Sequence, residues 1–438
     1  MQKVVLILES MVVLILIGLL IWARHKQALK KWWQARRKKA KRSWNLRPRT
    51  PEDCLDCRLA AKVTLPDTER APPAPWSTIK SPRGRPKKHN SDGHACMNPR
   101  CRYYKITDAH IHALRRDGQR NQCEATDQWE CGACGRKHTA RLGTPMYGLK
   151  TSSERVAMAM HLSAKGLDDA AISEVMGHSQ ETVARWLARS GRHSERLHKT
   201  PLKDLILSHI QLDELVGKVR RWGQRVWVWA AQDAPTKFWL AWHVGGRKQA
   251  DAHRLVHQVT GCLAPGCVPA FTSDGLRQYF YALTAHFGTW AVVEGKRKPV
   301  WQVLPALLYG QVRKVRAGYR LKRMYTKMLC GQRSAMEAKL QEAGLSGWIQ
   351  TAFIERLNLT IRHMVSALAR RTWALAYNVR SLRSRVALAA AYYNFCRTHH
   401  SLRIPMGEGR YRGRTPAMAL GITRHMWQMR EFITHPVY

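Results

Sequence analysis

Residues 4–22 are apolar apart from Glu9, Ser10 and Gly18. At about 1.5 Å per residue, a helix of this length just spans a hydrocarbon core. Residues 24–42 then carry ten Lys/Arg and no acid, which by the positive-inside rule puts the N-terminus outside and the rest of the chain in the cytoplasm. Residues 1–25 therefore read as a transmembrane helix; Glu9 speaks for the other reading, a buried soluble helix. Residues 26–92 show no hydrophobic period, and prolines such as Pro48, Pro51, Pro66, Pro72, Pro73 and Pro75 mark a basic linker. Polar sequence with paired cysteines fills 93–150. From Ser153 the period becomes helical, and 153–162, 168–176 and 179–187 read as three short helices. Gly177 breaks the second and Ser179 caps the third, in which Val183 and Leu187 face a core while Gln180, Arg185 and Arg189 point outward. Over 201–405 strands and helices alternate. Three strands at 209–215, 225–232 and 238–244 have short connections suited to an antiparallel meander. A helix at 251–259, a strand at 268–273 and a helix at 275–287 follow, and 406–438 reads as a C-terminal tail.

Charge changes the picture. With 74 Lys+Arg against 30 Asp+Glu, the formal net charge of the 438-residue chain is +44, and a polyanion is the expected partner, because neutralised phosphates release counterions. The charge runs the whole length, which favours nucleic acid over a membrane surface. The helical pattern of 151–200 is then a helix-turn-helix whose second helix enters the major groove, with Gln180, Arg185 and Arg189 toward DNA; a plain helical hairpin is the alternative. In Pro82-Arg-Gly-Arg-Pro86, Arg83, Gly84 and Arg85 suit a narrow A·T minor groove and resemble the AT-hook core. Cys96, Cys101, Cys131 and Cys134 form two knuckles, the arrangement that brings four thiolates to one structural Zn²⁺; exchange of a ligand for His94 or Cys123 is the variant of this reading. Trp129, Arg136, Lys137, His138 and Arg141 surround the second knuckle as a basic, partly aromatic surface. Cys54-Leu-Asp-Cys57 is a further CxxC whose partners are not evident.

Against this basic background three acids stand out: Asp213, Asp274 and Glu355. Asp213 lies on the first of the predicted strands, Asp274 just after the fourth, and Glu355 opens an amphipathic stretch in which Glu355, Asn358 and Arg362 share a face. A solvated helix face is the plain reading of that stripe. The strand and helix order is that of an RNase H-like fold, in which acids at these positions converge. Carboxylates so gathered suit a pair of Mg²⁺ (or Mn²⁺) ions for phosphoryl transfer. Glu214 and Asp233 are rival acids.

Gln211-Leu-Asp-Glu-Leu215, Thr272-Ser-Asp-Gly275 and Ile354-Glu-Arg-Leu-Asn-Leu-Thr-Ile-Arg-His363 resemble the three catalytic segments of DDE transposases, in particular those of the insertion-sequence-one type. Tyr393-Asn-Phe-Cys-Arg-Thr-His-His-Ser-Leu402 resembles a terminal segment common in transposases and integrases. The likeness covers roughly 96–402. It implies Asp213, Asp274 and Glu355 as the catalytic, Mg²⁺-holding triad, Asn358 and Arg362 as supporting residues, and a homo-oligomer that holds two element ends of double-stranded DNA. The expected fold is thus multidomain: a transmembrane helix (1–25), a linker (26–92), a zinc ribbon (93–150), an all-α helix-turn-helix (151–200), an α/β RNase H-like catalytic domain (201–405) and a tail. The expected activity is DNA transposition by a cytoplasmic protein tethered to the membrane. A membrane-tethered transcription regulator derived from a transposase, and a nuclease without strand joining, are its rivals.

Overall fold

A computed structural model describes residues 48–54, 56–57, 73–79, 91–121, 123–220 and 223–438. It begins, after a short 3-10 turn at Pro51–Asp53, with a small three-stranded antiparallel sheet, β1 (Leu114–Asn121), β2 (Ala125–Cys131) and β3 (Lys137–Thr139). Its core consists of Cys96, Cys101, Tyr103, Ala113 and Cys131, with Trp76, Ile106, Ile111 and Leu114 packed against them.

Three helices follow: α1 (Ser153–Ala164), α2 (Asp169–Met176) and α3 (Gln180–Lys199). Their boundaries follow from local chemistry. Asp168 caps α2 by accepting from Ala171 N, Gly177 closes it in the left-handed conformation at φ 64°, and Ser179 caps α3 by accepting from Thr182 N. The third helix runs well past 187, because Ser190, Gly191, Ser194 and Leu197 continue the buried stripe begun by Val183, Trp186 and Leu187.

A six-stranded sheet forms the centre, in the order β11-β10-β7-β4-β5-β6. Its strands are β4 (His209–Lys218), β5 (Arg225–Asp233), β6 (Trp239–Gly245), β7 (Ala270–Ser273), β10 (Tyr309–Ala317) and β11 (Arg320–Cys330), with a small hairpin of β8 (Gly288–Ala291) and β9 (Val300–Val303) between. The first three strands form an antiparallel meander; β7 pairs parallel with β4 on one side and β10 on the other. Helices α4 (Gln249–Thr260) and α5 (Arg277–His286) flank β7 in sequence, and α6 (Arg333–Glu342), α7 (Ala352–Met364) and α8 (Val379–Ala391) follow the sheet. A final hairpin, β12 (His399–Pro405) and β13 (Tyr411–Arg414), leads to α9 (Met429–Thr434).

The expected fold class is corrected. Among the described residues no helix is long and apolar enough to cross a membrane, and the chain is a mixed α/β protein with several sheets. The longest of these helices, α3, is ringed on its outer side by Arg185, Arg192, Arg196 and Lys199, a pattern that no hydrocarbon core accepts. The apolar run at 4–22 on which the transmembrane expectation rested lies outside the described residues, as do Arg83, Gly84 and Arg85. Nor are the three helices a separate core. One apolar cluster runs from Met146 and Val156 through Trp186 and Leu187 to Leu215, Ile354, Leu388 and Phe432. The presumed tail belongs to it: Phe432 and Ile433 are buried, and Val437 N donates to Gly143 O at 3.0 Å.

A close seam in this core is where α3 meets α8. A Cβ added at Gly191 would fall inside van der Waals contact of the Ser384 carbonyl and side chain. Gly→Ala inside an exposed helix normally gains up to about 1 kcal/mol. Here Gly191→Ala is expected to cost about 2–3 kcal/mol through overpacking, read as a lower urea midpoint with unchanged slope; a more stable variant would count against this packing.

Candidate active site

The parallel register between β4 and β7 pairs Leu212 with Ser273, so the next residues, Asp213 and Asp274, emerge side by side at neighbouring strand positions. Each carboxylate is oriented locally: Asp213 Oδ1 accepts from Glu214 N at 2.9 Å, and Asp274 Oδ1 accepts from Leu276 N at 3.0 Å. The helix carrying the third expected acid is docked by Gln211, two positions before Asp213 and on the same face of the strand. Gln211 is fully buried; its Oε1 accepts from Ile354 N and its Nε2 donates to Gln350 O, both at 2.9 Å. This clamp brings Asn358 Nδ2 to 2.7 Å from Asp213 Oδ2. Sequence reasoning missed Gln211 as a positioning residue, although a glutamine two residues from the acid in an apolar strand was its visible signal.

The acids gather with one difference from expectation. Ligand oxygens of Asp213, Glu214 and Asp274 lie within 4.8 Å of one another. Glu355, in the first turn of α7, accepts instead from Lys314 Nζ at 2.6 Å and Thr351 Oγ1 at 2.7 Å, with a side chain 45% exposed. The Glu214 side chain is only 2% exposed; it accepts from Arg247 Nη2 at 2.5 Å and from the Tyr279 hydroxyl at 3.1 Å. Asp233, the other rival acid, is spent on Thr236. Arg362 does not join the site: its Nη1 donates to Leu368 O at 3.0 Å and closes the turn after α7.

Crowding sets the electrostatics. Burial, then the facing Asp274 and Glu355 carboxylates, push Asp213 up to about 7. Burial, then Asp274 and Asp213, push Glu214 up to about 8 despite its arginine. Asp274 is raised as well, by burial first. The Asn358 amide that donates to Asp213 also has its Oδ1 buried and without a hydrogen-bond partner. Hard oxygen donors that repel one another and an unpartnered amide oxygen fit a divalent cation.

The four expected sulfurs do come together. Cys96 Sγ lies 3.6 Å from Cys134 Sγ and Cys101 Sγ 3.8 Å from Cys131 Sγ, against about 3.8 Å for the edge of a tetrahedron with 2.3 Å Zn–S bonds. This cluster can hold a metal such as zinc. His94 packs at a tilt against Trp129, ring centroids 5.2 Å apart, and Cys123 contacts Arg141 Nη2 at 3.5 Å; neither enters the cluster.

The expected DNA-facing residues divide. Gln180 and Arg185 are exposed on α3. Arg189 is not outward: its guanidinium donates to Pro145 O at 2.9 Å and to Tyr147 O, tying α3 to the preceding loop. Trp129 is buried rather than superficial, and Arg141 donates to Leu149 O and pairs with Glu124. Arg136, Lys137 and Lys150 do line a groove of about 700 Å³ together with Arg120. No protein-family model matches the chain, and no curated protein matches it by sequence.

Proposed function

We propose that this chain is a DNA transposase that binds the ends of its element, hydrolyses a phosphodiester to leave a 3′-hydroxyl, and joins that hydroxyl to target DNA. The observation that carries the reading is the half-buried cluster of Asp213, Glu214 and Asp274 with Asn358 against it, in a chain of net charge +44. Mutually repelling carboxylates in a polycationic protein favour a site for divalent cations and phosphates over a structural role. Asp213 and Asp274 would hold the ions, with Glu355 completing the set; a bound pair of Mg²⁺ or Mn²⁺ supplies Lewis acidity and a more acidic water. Asn358 orients Asp213, and Gln211 keeps α7 against β4. Arg247 pairs with Glu214, and the Tyr279 hydroxyl donates to it, at the margin of the cluster. Cys96, Cys101, Cys131 and Cys134 hold one structural Zn²⁺, while Gln180, Arg185 and the groove of Arg120, Arg136, Lys137 and Lys150 take DNA. Both element ends must be held at once, so the working form is a homo-oligomer on double-stranded DNA. The deciding experiment is strand joining by the purified protein on DNA carrying the sequences that flank its coding region. Cutting without joining would make it a nuclease, and binding alone a regulator.

The cluster also predicts a stability signature. A carboxylate whose native pKa lies above its unfolded value of 3.8 binds more protons when folded, so stability falls as pH rises from about 4 to about 7. Asp213→Asn removes that penalty. Without added divalent cation at pH 8 it is expected to stabilise the protein by about 1–3 kcal/mol, or roughly 2–8 °C in melting temperature. Added Mg²⁺ should raise the melting temperature of the parent and leave Asp213→Asn nearly unmoved. A parent indifferent to Mg²⁺, with a variant no more stable, would refute the cation site.

A further inference from the structure

We propose that Cys54, Cys57, His257 and His286 form a second structural zinc site, a Cys2His2 centre that fastens the segment before the small sheet onto the helices beside the acidic cluster. Two hundred residues separate the CxxC from its partners, which is why the pair looks solitary in the sequence. In the fold, α4 and α5 lie side by side and present His257 and His286 near their C-terminal ends, with ring centroids 5.8 Å apart. Cys57 Sγ sits 3.3 Å from His257 Nδ1 and 3.2 Å from His286 Nε2. All four ligand atoms lie within 4.8 Å of one another. Tetrahedral zinc with bonds of about 2.3 Å to sulfur and 2.0 Å to nitrogen needs S–N edges of about 3.5 Å, so a small outward adjustment suffices.

The surroundings are those of a built ligand set. His286 Nδ1 donates to Ala282 O at 2.8 Å, which fixes the tautomer and leaves Nε2 with a bare lone pair toward the sulfurs. Cys57 N donates to Cys54 Sγ at 3.4 Å, the contact a zinc knuckle uses to spread thiolate charge onto the backbone. His253, one turn before His257 and with its ring 5.7 Å from that of His286, is buried beside these ligands and within side-chain reach of Cys54. Four protein ligands leave no open position, so the role is structural rather than catalytic. Such a staple is also needed. Among the described residues of 48–57, Cys54 alone is buried. The neighbouring attachments are polar and shallow: Arg49 N to Thr284 Oγ1 at 3.1 Å, the Arg49 guanidinium over the Tyr281 ring at 5.3 Å, and Asp56 with Arg254 at 4.0 Å. A zinc ion supplies the cohesion that no apolar core provides here.

The test is X-ray absorption and metal analysis on the full-length protein purified without added zinc. With both clusters filled, the expected result is two zinc ions per chain and an average shell of three sulfurs and one nitrogen, from one four-sulfur and one two-sulfur, two-nitrogen site. Cys57→Ser and His286→Ala should each release one zinc and leave an all-sulfur shell, whereas Cys131→Ser should leave two sulfurs and two nitrogens. One zinc with two sulfurs and two nitrogens in the parent would uphold this site and refute the ribbon's. A parent shell without nitrogen, or a Cys54–Cys57 disulfide in protein kept under reducing conditions, would overturn the proposal without recourse to any variant.

Discussion

Asp213→Asn and Asp274→Asn are each expected to lower DNA cleavage and joining by at least about a thousandfold while changing DNA affinity by no more than about threefold. The size follows from what the carboxylates do in the proposed chemistry: with one charge removed, a cation pair is underligated, and transition-state stabilisation of several kcal/mol goes with it. Affinity is carried elsewhere, by a chain with 44 more positive than negative side chains, so loss of one negative charge near the phosphates tends to tighten binding slightly. The third acid is where the two sources of evidence divide. Spacing and resemblance point to Glu355, whereas the closest oxygens belong to Glu214. Glu355 is held by Lys314 and Thr351 at the exposed edge, where it is accessible to DNA and ion; Glu214 is enclosed by Arg247 and Tyr279. Glu355→Gln should therefore match the aspartate variants and Glu214→Gln should retain more than about a tenth of the activity. Near-normal joining by Asp274→Asn would sink the assignment altogether. A dead Glu214→Gln beside an active Glu355→Gln would transfer the third role to Glu214. Gel shift at fixed salt, run alongside the joining assay, separates loss of chemistry from loss of folding.

What the sequence revealed and what it hid follow a physical division. Local signals survived: Gly177 and Ser179 delimit the helices where their backbone chemistry says they should, and the alternation over 209–245 yields three antiparallel strands. Short-range periodicity also placed Asp213 on a strand and Asp274 just after one. Their adjacency depends on a parallel pairing between strands about sixty residues apart, which no period encodes. The misplacements are of one kind. Arg189 and Arg362 sit on the helix faces expected of them, but a guanidinium reaches several ångströms and takes whatever carbonyl the fold brings near, here Pro145, Tyr147 and Leu368. A helical wheel gives direction without partners. The partners of Cys54 and Cys57, the docking of α7 by Gln211 and the burial of the C-terminal residues against Gly143 are all contacts across more than a hundred residues, invisible to any local pattern.

Loss of the proposed zinc from the Cys96–Cys134 cluster is expected to unfold the three-stranded sheet while the six-stranded sheet stays folded. Three of the five buried members of the small core, Cys96, Cys101 and Cys131, are themselves the proposed ligands, and the remaining two are Tyr103 and Ala113. So small a core cannot offset the conformational entropy of some fifty residues. Zinc binding of roughly 10–16 kcal/mol is what makes comparable units fold at all. Without the ion, the sulfurs face each other at 3.6 and 3.8 Å; burial pushes the Cys131 thiol up to about 11, while at Cys134 burial is outweighed by hydrogen bonds from the Arg136 backbone and Asn98, which bring it down to about 7. Binding must release protons, and mild acid should reverse it. Cys131→Ser isolates this site from any other zinc in the chain. Hydrogen exchange followed by mass spectrometry should show the amides of β1, β2 and β3 exchanging at least about a thousandfold faster than in the parent, near the rates of an unfolded segment. Those of β4, β5 and β7 should keep their protection, because their core draws on Leu212, Val228, Ala230 and Phe271 and on none of the cysteines of the small sheet. Parent-like protection of 114–139 in the Cys131→Ser protein would mean that the small sheet stands without its metal and that the four sulfurs meet for another reason.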